Sequence, residues 1–144
     1  MIVAGSGVVN SGRKLTGLVN TVDLYPTILR LAGIDPATVL AGRKIDGVSF
    51  LPFIDNSSTA AIRPWAFAEK FDLLWNQKWE HAIRDGRYKL IERIVGLKWP
   101  VREFFDLQND PYEKVNLLKK TLTSTQKTKI NYLNGQLDAL LATQ

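Results

Sequence analysis

The period of the apolar positions changes along the chain, and the change separates helical from strand-like regions. Near the C-terminus Ile130, Leu133, Leu137, Leu140 and Leu141 recur at helical spacing. Thr123, followed by Gln126 three residues later, reads as a capping box that starts this helix. Gly135 inside it costs about 1 kcal/mol relative to Ala, so packing has to hold it. A second helix is predicted over residues 22–32, with Val22, Tyr25, Leu29 and Ala32 on one face and Leu24, Ile28 and Leu31 beside it. Asn20 or Thr21 can cap it, and Gly33 suits the position after its end. Pro26 falls inside, which calls for a kink between Tyr25 and Pro26 or a helix that starts at Pro26.

The middle of the chain alternates with period two. Trp65, Phe67 and Phe71 share one side of a predicted strand, and Ala66 and Ala68 the other. Residues 81–84 and 87–91 flank Asp85-Gly86, a signal for a hairpin closed by a type I′ turn. Residues 102–107 add a further strand, ended by Gln108-Asn109-Asp110-Pro111. Between helix and strands, residues 35–64 form a connection with an expected turn at Asp46-Gly47 and a polar loop at Asn56-Ser57-Ser58-Thr59, anchored by Leu51, Phe53 and Ile54. The pattern predicts an α+β fold: a small antiparallel sheet of about four strands packed by a C-terminal helix. The domain boundary is placed near residue 60, giving segments 1–60 and 61–144.

Composition narrows the chemistry. The 144 residues carry 19 Lys plus Arg against 14 Asp plus Glu, and no cysteine. Disulfides, thiolate nucleophiles and Cys-type zinc sites are excluded, and one histidine, His81, excludes histidine clusters. The net charge of +5 is spread thinly, which argues against a nucleic-acid track. No run of 18 apolar residues suggests a membrane span, and Met1-Ile2-Val3-Ala4-Gly5 does not read as a signal peptide. The compartment is left undetermined by composition. Gly5-Ser6-Gly7 lacks the third glycine of a dinucleotide loop, and no Gly-x-Ser-x-Gly elbow accompanies His81. Neither catalytic nor metal-binding residues are assigned. The candidates for substrate contact are Trp75, Trp79, His81, Lys98 and Trp99, because large aromatics mixed with amides and charge suit a sugar platform, although a helical turn would equally bury Trp75 and Trp79.

The order of motifs resembles the late part of the sulfatase family. Asp23-Leu24-Tyr25-Pro26-Thr27 leads into a helix ending in Ala32-Gly33. Asp46-Gly47-Val48-Ser49 follows, then the hairpin Ala82-Ile83-Arg84-Asp85-Gly86-Arg87-Tyr88-Lys89-Leu90-Ile91. Last comes a closing box, Phe105-Asp106-Leu107 with Asp110-Pro111 and Glu113-Lys114-Val115-Asn116-Leu117. The resemblance implies that residues 1–60 are a strand-helix remnant of the large α/β sulfatase domain with its connecting segment. Residues 61–144 would then be the C-terminal subdomain.

The same resemblance implies that an intact parent hydrolyses sulfuric esters. Its formylglycine would come from a Cys/Ser-x-Pro/Ala-x-Arg segment and its calcium from paired carboxylates, and neither is expected in this chain. Asp23 reads as a helix-start element and not as a metal ligand. The expected partners are the missing N-terminal sulfatase domain, a second copy through exposed apolar surface, and a sulfated substrate in the parent; localisation is left open, with export of the parent (periplasmic, extracellular or lysosomal) among the options. An independent carbohydrate-binding or protein-interaction module is the alternative.

Overall fold

The computed structural model describes residues 1–58, 60–72, 78–95 and 99–142, which form two compact units, Met1–Pro64 and Trp65–Gln144. In the first, a 3₁₀ turn at Thr21–Asp23 hands over to α1 (Leu24–Leu31), followed by α2 (Pro36–Leu40) and α3 (Leu51–Ile54). Pro26 is the third residue of α1, where a backbone N–H would lack an intrahelical partner anyway. The 3₁₀ turn therefore resolves the proline without a kink and without delaying the helix to Pro26. Gly33 ends α1 at φ +74°, and the N–H of Ile34 reaches back to the carbonyl of Leu29 at 2.9 Å. The apolar run at Met1 to Ala4 lies outside regular secondary structure.

The core of this unit is Phe50, Phe53 and Ile54, with Val8, Val19, Leu51 and Ile62 against it. Helix α1 is inverted relative to that core: it buries Pro26 and Thr27, while Leu24, Tyr25, Ile28 and Leu31 are exposed. Thr27 is held by donating its hydroxyl to the Asp23 carbonyl at 2.6 Å and accepting the Phe50 N–H at 3.0 Å. The expected turn at Asp46-Gly47 is absent, and residues 43–50 lie outside regular secondary structure. Gly47 is required for another reason: a Cβ there would stand 2.4 Å from the Val22 carbonyl oxygen.

The second unit is an antiparallel meander, β1 (Ala66–Asp72), β2 (Lys78–Arg84), β3 (Tyr88–Val95) and β4 (Val101–Asp106), whose strands lie side by side in chain order. Helix α4 (Ser124–Leu141) begins at the capping box, with the Thr123 N–H donating to Gln126 Oε1 at 2.9 Å and the Gln126 N–H donating to Thr123 Oγ1 at 3.2 Å. Period-two alternation places Ile83, Leu90 and Phe104 in one row across the sheet, fully buried beneath Leu133 and Leu137 of α4. Together with Tyr88, Trp65 and Phe67 they form the core expected of strands covered by an amphipathic helix. The fold is α+β, a four-stranded antiparallel sheet packed by a C-terminal helix.

The hairpin between β2 and β3 is closed differently from the sequence pattern. Neither Gly86 nor Arg87 has a positive φ, so the turn is not type I′. Asp85 closes it instead: its N–H donates to the Tyr88 carbonyl at 3.0 Å, and its Oδ1 accepts the N–H groups of Arg87 and Tyr88 at 2.8 and 2.7 Å. The carboxylate does what glycine geometry was expected to do.

Candidate functional site

Strand register brings together residues that are far apart in sequence. His81 on β2 pairs with Glu69 on β1 and Glu92 on β3, and Glu92 pairs with Arg102 on β4. Glu69, His81, Glu92 and Arg102 therefore make a polar row on the face that α4 covers, next to the apolar row of Phe67, Ile83, Leu90 and Phe104. On the other side of the polar row lies an aromatic pair, Phe71 and Trp79, with ring centroids 4.2 Å apart.

Within the polar row, Arg102 donates from Nε to Glu92 at 2.6 Å and from Nη1 to Asn134 of α4 at 3.1 Å. Glu92 is 3% exposed, so this guanidinium is what makes its charge tolerable there. His81 is 4% exposed, with Nε2 3.3 Å from Glu69 and Nδ1 3.6 Å from Glu92. The angles make neither approach a hydrogen bond, and both ring nitrogens lack a hydrogen-bond partner among the described residues. The rings of Phe67 and Trp79 flank the imidazole at 6.1 and 6.0 Å.

Of the five residues singled out for substrate contact, Trp79 and His81 are neighbours on one face of β2. Trp99, 91% exposed just before β4, stands at the same end of the sheet as Phe71 and Trp79, since the β1–β2 and β3–β4 connections share that end. Trp75 and Lys98 lie outside the described residues. The sequence reading missed Phe71, Glu69, Glu92 and Arg102 as members of the same constellation. Their signal is the pairing register, which becomes legible only once the hairpin turn is placed correctly.

The residues that carried the family resemblance have structural partners. Asp23, fully buried, accepts the N–H groups of Asn20 and Val48 at 2.7 and 2.8 Å and forms a two-pronged ion pair with Arg63, which also donates to the Asp46 carbonyl at 3.2 Å. Arg87 grips Asp106 through Nε and Nη2 at 2.9 and 2.6 Å. Asn116 Oδ1 accepts the N–H groups of Phe104 and Leu118 at 3.1 and 3.0 Å, and Lys89 meets Glu113 at 2.7 Å. The Arg87 guanidinium holds the Asp106 carboxyl below its ordinary range. Burial works to raise Asp85, but the N–H groups of Tyr88 and Arg87 and the Lys129 ammonium outweigh it and hold this carboxyl low as well.

These residues do not fit a calcium site. Both Asp23 oxygens are already engaged by N–H donors and by a guanidinium, and no group of three or more His, Asp or Glu among the described residues is placed to hold a metal ion. No helix among them is long and apolar enough to cross a membrane.

The second unit is thus a chain-order meander closed by a terminal helix, and the acids that carried the resemblance have structural roles. The family model described as "N-sulphoglucosamine sulphohydrolase, C-terminal" matches residues 1–141, and the chain belongs to that family. Arylsulfatase K of Danio rerio is 32% identical over 120 residues, covering 81% of this chain and 21% of the relative. Arylsulfatase K of Rattus norvegicus is 31% identical over 149 residues, covering 98% and 24%. The chain thus spans about a quarter or less of these relatives' length. Among solved structures, a 2-O GAG sulfatase superposes with a TM-score of 0.77 at 23% identity, covering 97% of this chain and 28% of that one. A protein solved with its substrate D-glucosamine-2-N,6-O-disulfate superposes at 0.62 and 24% identity, over 82% and 23%. These two likenesses establish the fold.

Proposed function

We propose that the chain serves as the C-terminal portion of a sulfatase acting on a sulfated glycan, supplying architecture and one wall of the substrate cleft while the reacting groups reside elsewhere in the protein. The observation that supports this most directly is the occupancy of the signature acids: Asp23, Asp85 and Asp106 each hold backbone or a cation of their own unit. In this reading residues 1–60 belong to the large α/β domain and residues 61–144 are the C-terminal subdomain. The exposed face of α1, with Ile28 and Leu31, is where the remainder of the large domain packs. That remainder supplies formylglycine and calcium, which together provide the nucleophile and the neutralisation of sulfate charge. Here Trp79, His81 and Trp99, with Trp75 and Lys98, are the substrate-side candidates.

A chimera tests the reading. The C-terminal region of Danio rerio arylsulfatase K that corresponds to this chain is replaced by it, and sulfate release from an aryl sulfate is measured beside the chain alone. The expected result is turnover by the chimera and none above blank by the chain. A folded but inactive chimera, or turnover by the chain alone that is lost on His81→Ala, overturns it.

A further inference from the structure

The aromatic pair and the polar row beside it carry a more specific assignment, which rests on the sulfatase reading of the chain. Phe71 and Trp79 are 43% and 37% exposed although both are large and apolar, and they stand on adjacent strands in direct register. Glu69 lies two residues from Phe71 on the same face, with a partly exposed carboxylate. His81, its register partner on β2, has Nε2 3.3 Å from one oxygen of Glu69, at an angle that makes no hydrogen bond. Glu92, by contrast, is already engaged by Arg102.

We propose that Phe71, Trp79 and Glu69 form a contact site for the uncharged face of a hexopyranose ring. The ring's C–H face stacks on the two aromatics and one ring hydroxyl donates to Glu69. The charge balance specifies which part of the glycan sits here. Among the described residues, Glu69 and Glu92 of this row have Arg102 as their arginine or lysine partner, and Arg102 also meets Asp138 at 3.7 Å, so a sulfate would meet net repulsion at the contact and must point away. The site reads the sugar and not its sulfate.

Titration calorimetry on the full chain tests this with two probes, a neutral N-acetylglucosamine tetramer and an N-sulfated glucosamine tetramer, each with Trp79→Ala, Glu69→Gln and Tyr112→Ala variants whose folding is checked by circular dichroism. Both probes are expected to bind with affinities within about 3-fold of each other, with roughly a 10-fold loss in Trp79→Ala, a smaller loss in Glu69→Gln and none in Tyr112→Ala, an exposed aromatic outside the site. Absence of saturable binding to the folded chain, binding that survives Trp79→Ala, or binding only of the sulfated probe each overturns the assignment. The chimera assay reads sulfate release and the titration reads glycan contact by the chain itself, so failure of one does not mimic failure of the other.

Discussion

Single residues in this protein are irreplaceable for reasons that differ from their most familiar ones. Gly86 resembles a turn glycine, yet its φ is not positive and a Cβ there meets nothing within 4 Å. Gly86→Ala is therefore expected to shift the thermal midpoint little, whereas Asp85→Ala removes the acceptor for two backbone N–H groups and costs about 1–3 kcal/mol. Comparable losses in the two variants would place the closing contact elsewhere. The same carboxyl gives a pH dependence. Asp85 and Asp106 are held below the ordinary value of 3.8, so their stabilisation is present above that value and is lost as pH falls through their lower folded values. Unfolding midpoints measured downward from pH 5 should fall, and fall less steeply in Asp106→Asn. In the first unit, Arg63→Met strands the fully buried Asp23 carboxylate and is expected to cost about 3–5 kcal/mol. Hydrogen exchange at the amides of Phe50 and Phe53 would report that loss.

At the scale of elements, α4 was legible from its apolar spacing and its capping box, because both are local signals. Packing holds this helix in place despite Gly135, through the fully buried Leu133 and Leu137, and a Cβ at Gly135 meets nothing within 4 Å. Gly135→Ala should raise stability by about 0.5–1 kcal/mol in denaturant unfolding. The strands were legible as well, but their register was not. A two-residue turn at Asp85-Gly86 would pair His81 with Leu90; closing one residue later, at Gly86-Arg87, pairs it with Glu92. The shift of two preserves which residues share a face and changes which neighbours meet. The alternation therefore survived while the polar row of the candidate site stayed hidden. Arg63 was illegible for a similar reason, since its partner Asp23 lies 40 positions away and no periodicity connects them.

For the whole molecule, the distribution of apolar surface is the governing fact. The second unit covers one face of its sheet with its own helix, but the first leaves Leu24, Tyr25, Ile28 and Leu31 of α1 exposed, the last two at 60% and 54%. A contiguous apolar helix face on so small a unit favours association. Light scattering of the chain alone is expected to show concentration-dependent oligomers, and Ile28→Gln with Leu31→Gln should reduce them without lowering the thermal midpoint. A strictly monomeric chain with the natural residues would contradict this. The order of sequence motifs identified the family because those motifs are structural and so persist in any piece that folds. The substrate-side residues carry no comparable signature, since an exposed aromatic gains its meaning from what stands beside it in space.

The chain-order meander has a kinetic consequence. Every strand pairs with its neighbour in sequence, so the contacts that define the sheet close short loops, and such topologies fold fast. Asp85 sits at the centre of this scheme, because the hairpin it closes fixes the register that β1 and β4 extend. Its contacts to the N–H groups of Arg87 and Tyr88 span two and three residues and can form before any strand outside the hairpin docks, whereas its ion pair with Lys129 of α4 forms only once the helix has docked. Asp85→Ala is then expected to slow refolding by most of its equilibrium effect while leaving the unfolding rate nearly unchanged, whereas Leu137→Ala should mainly accelerate unfolding. The carboxylate that closes one turn would in this way set the pace at which the whole sheet is assembled.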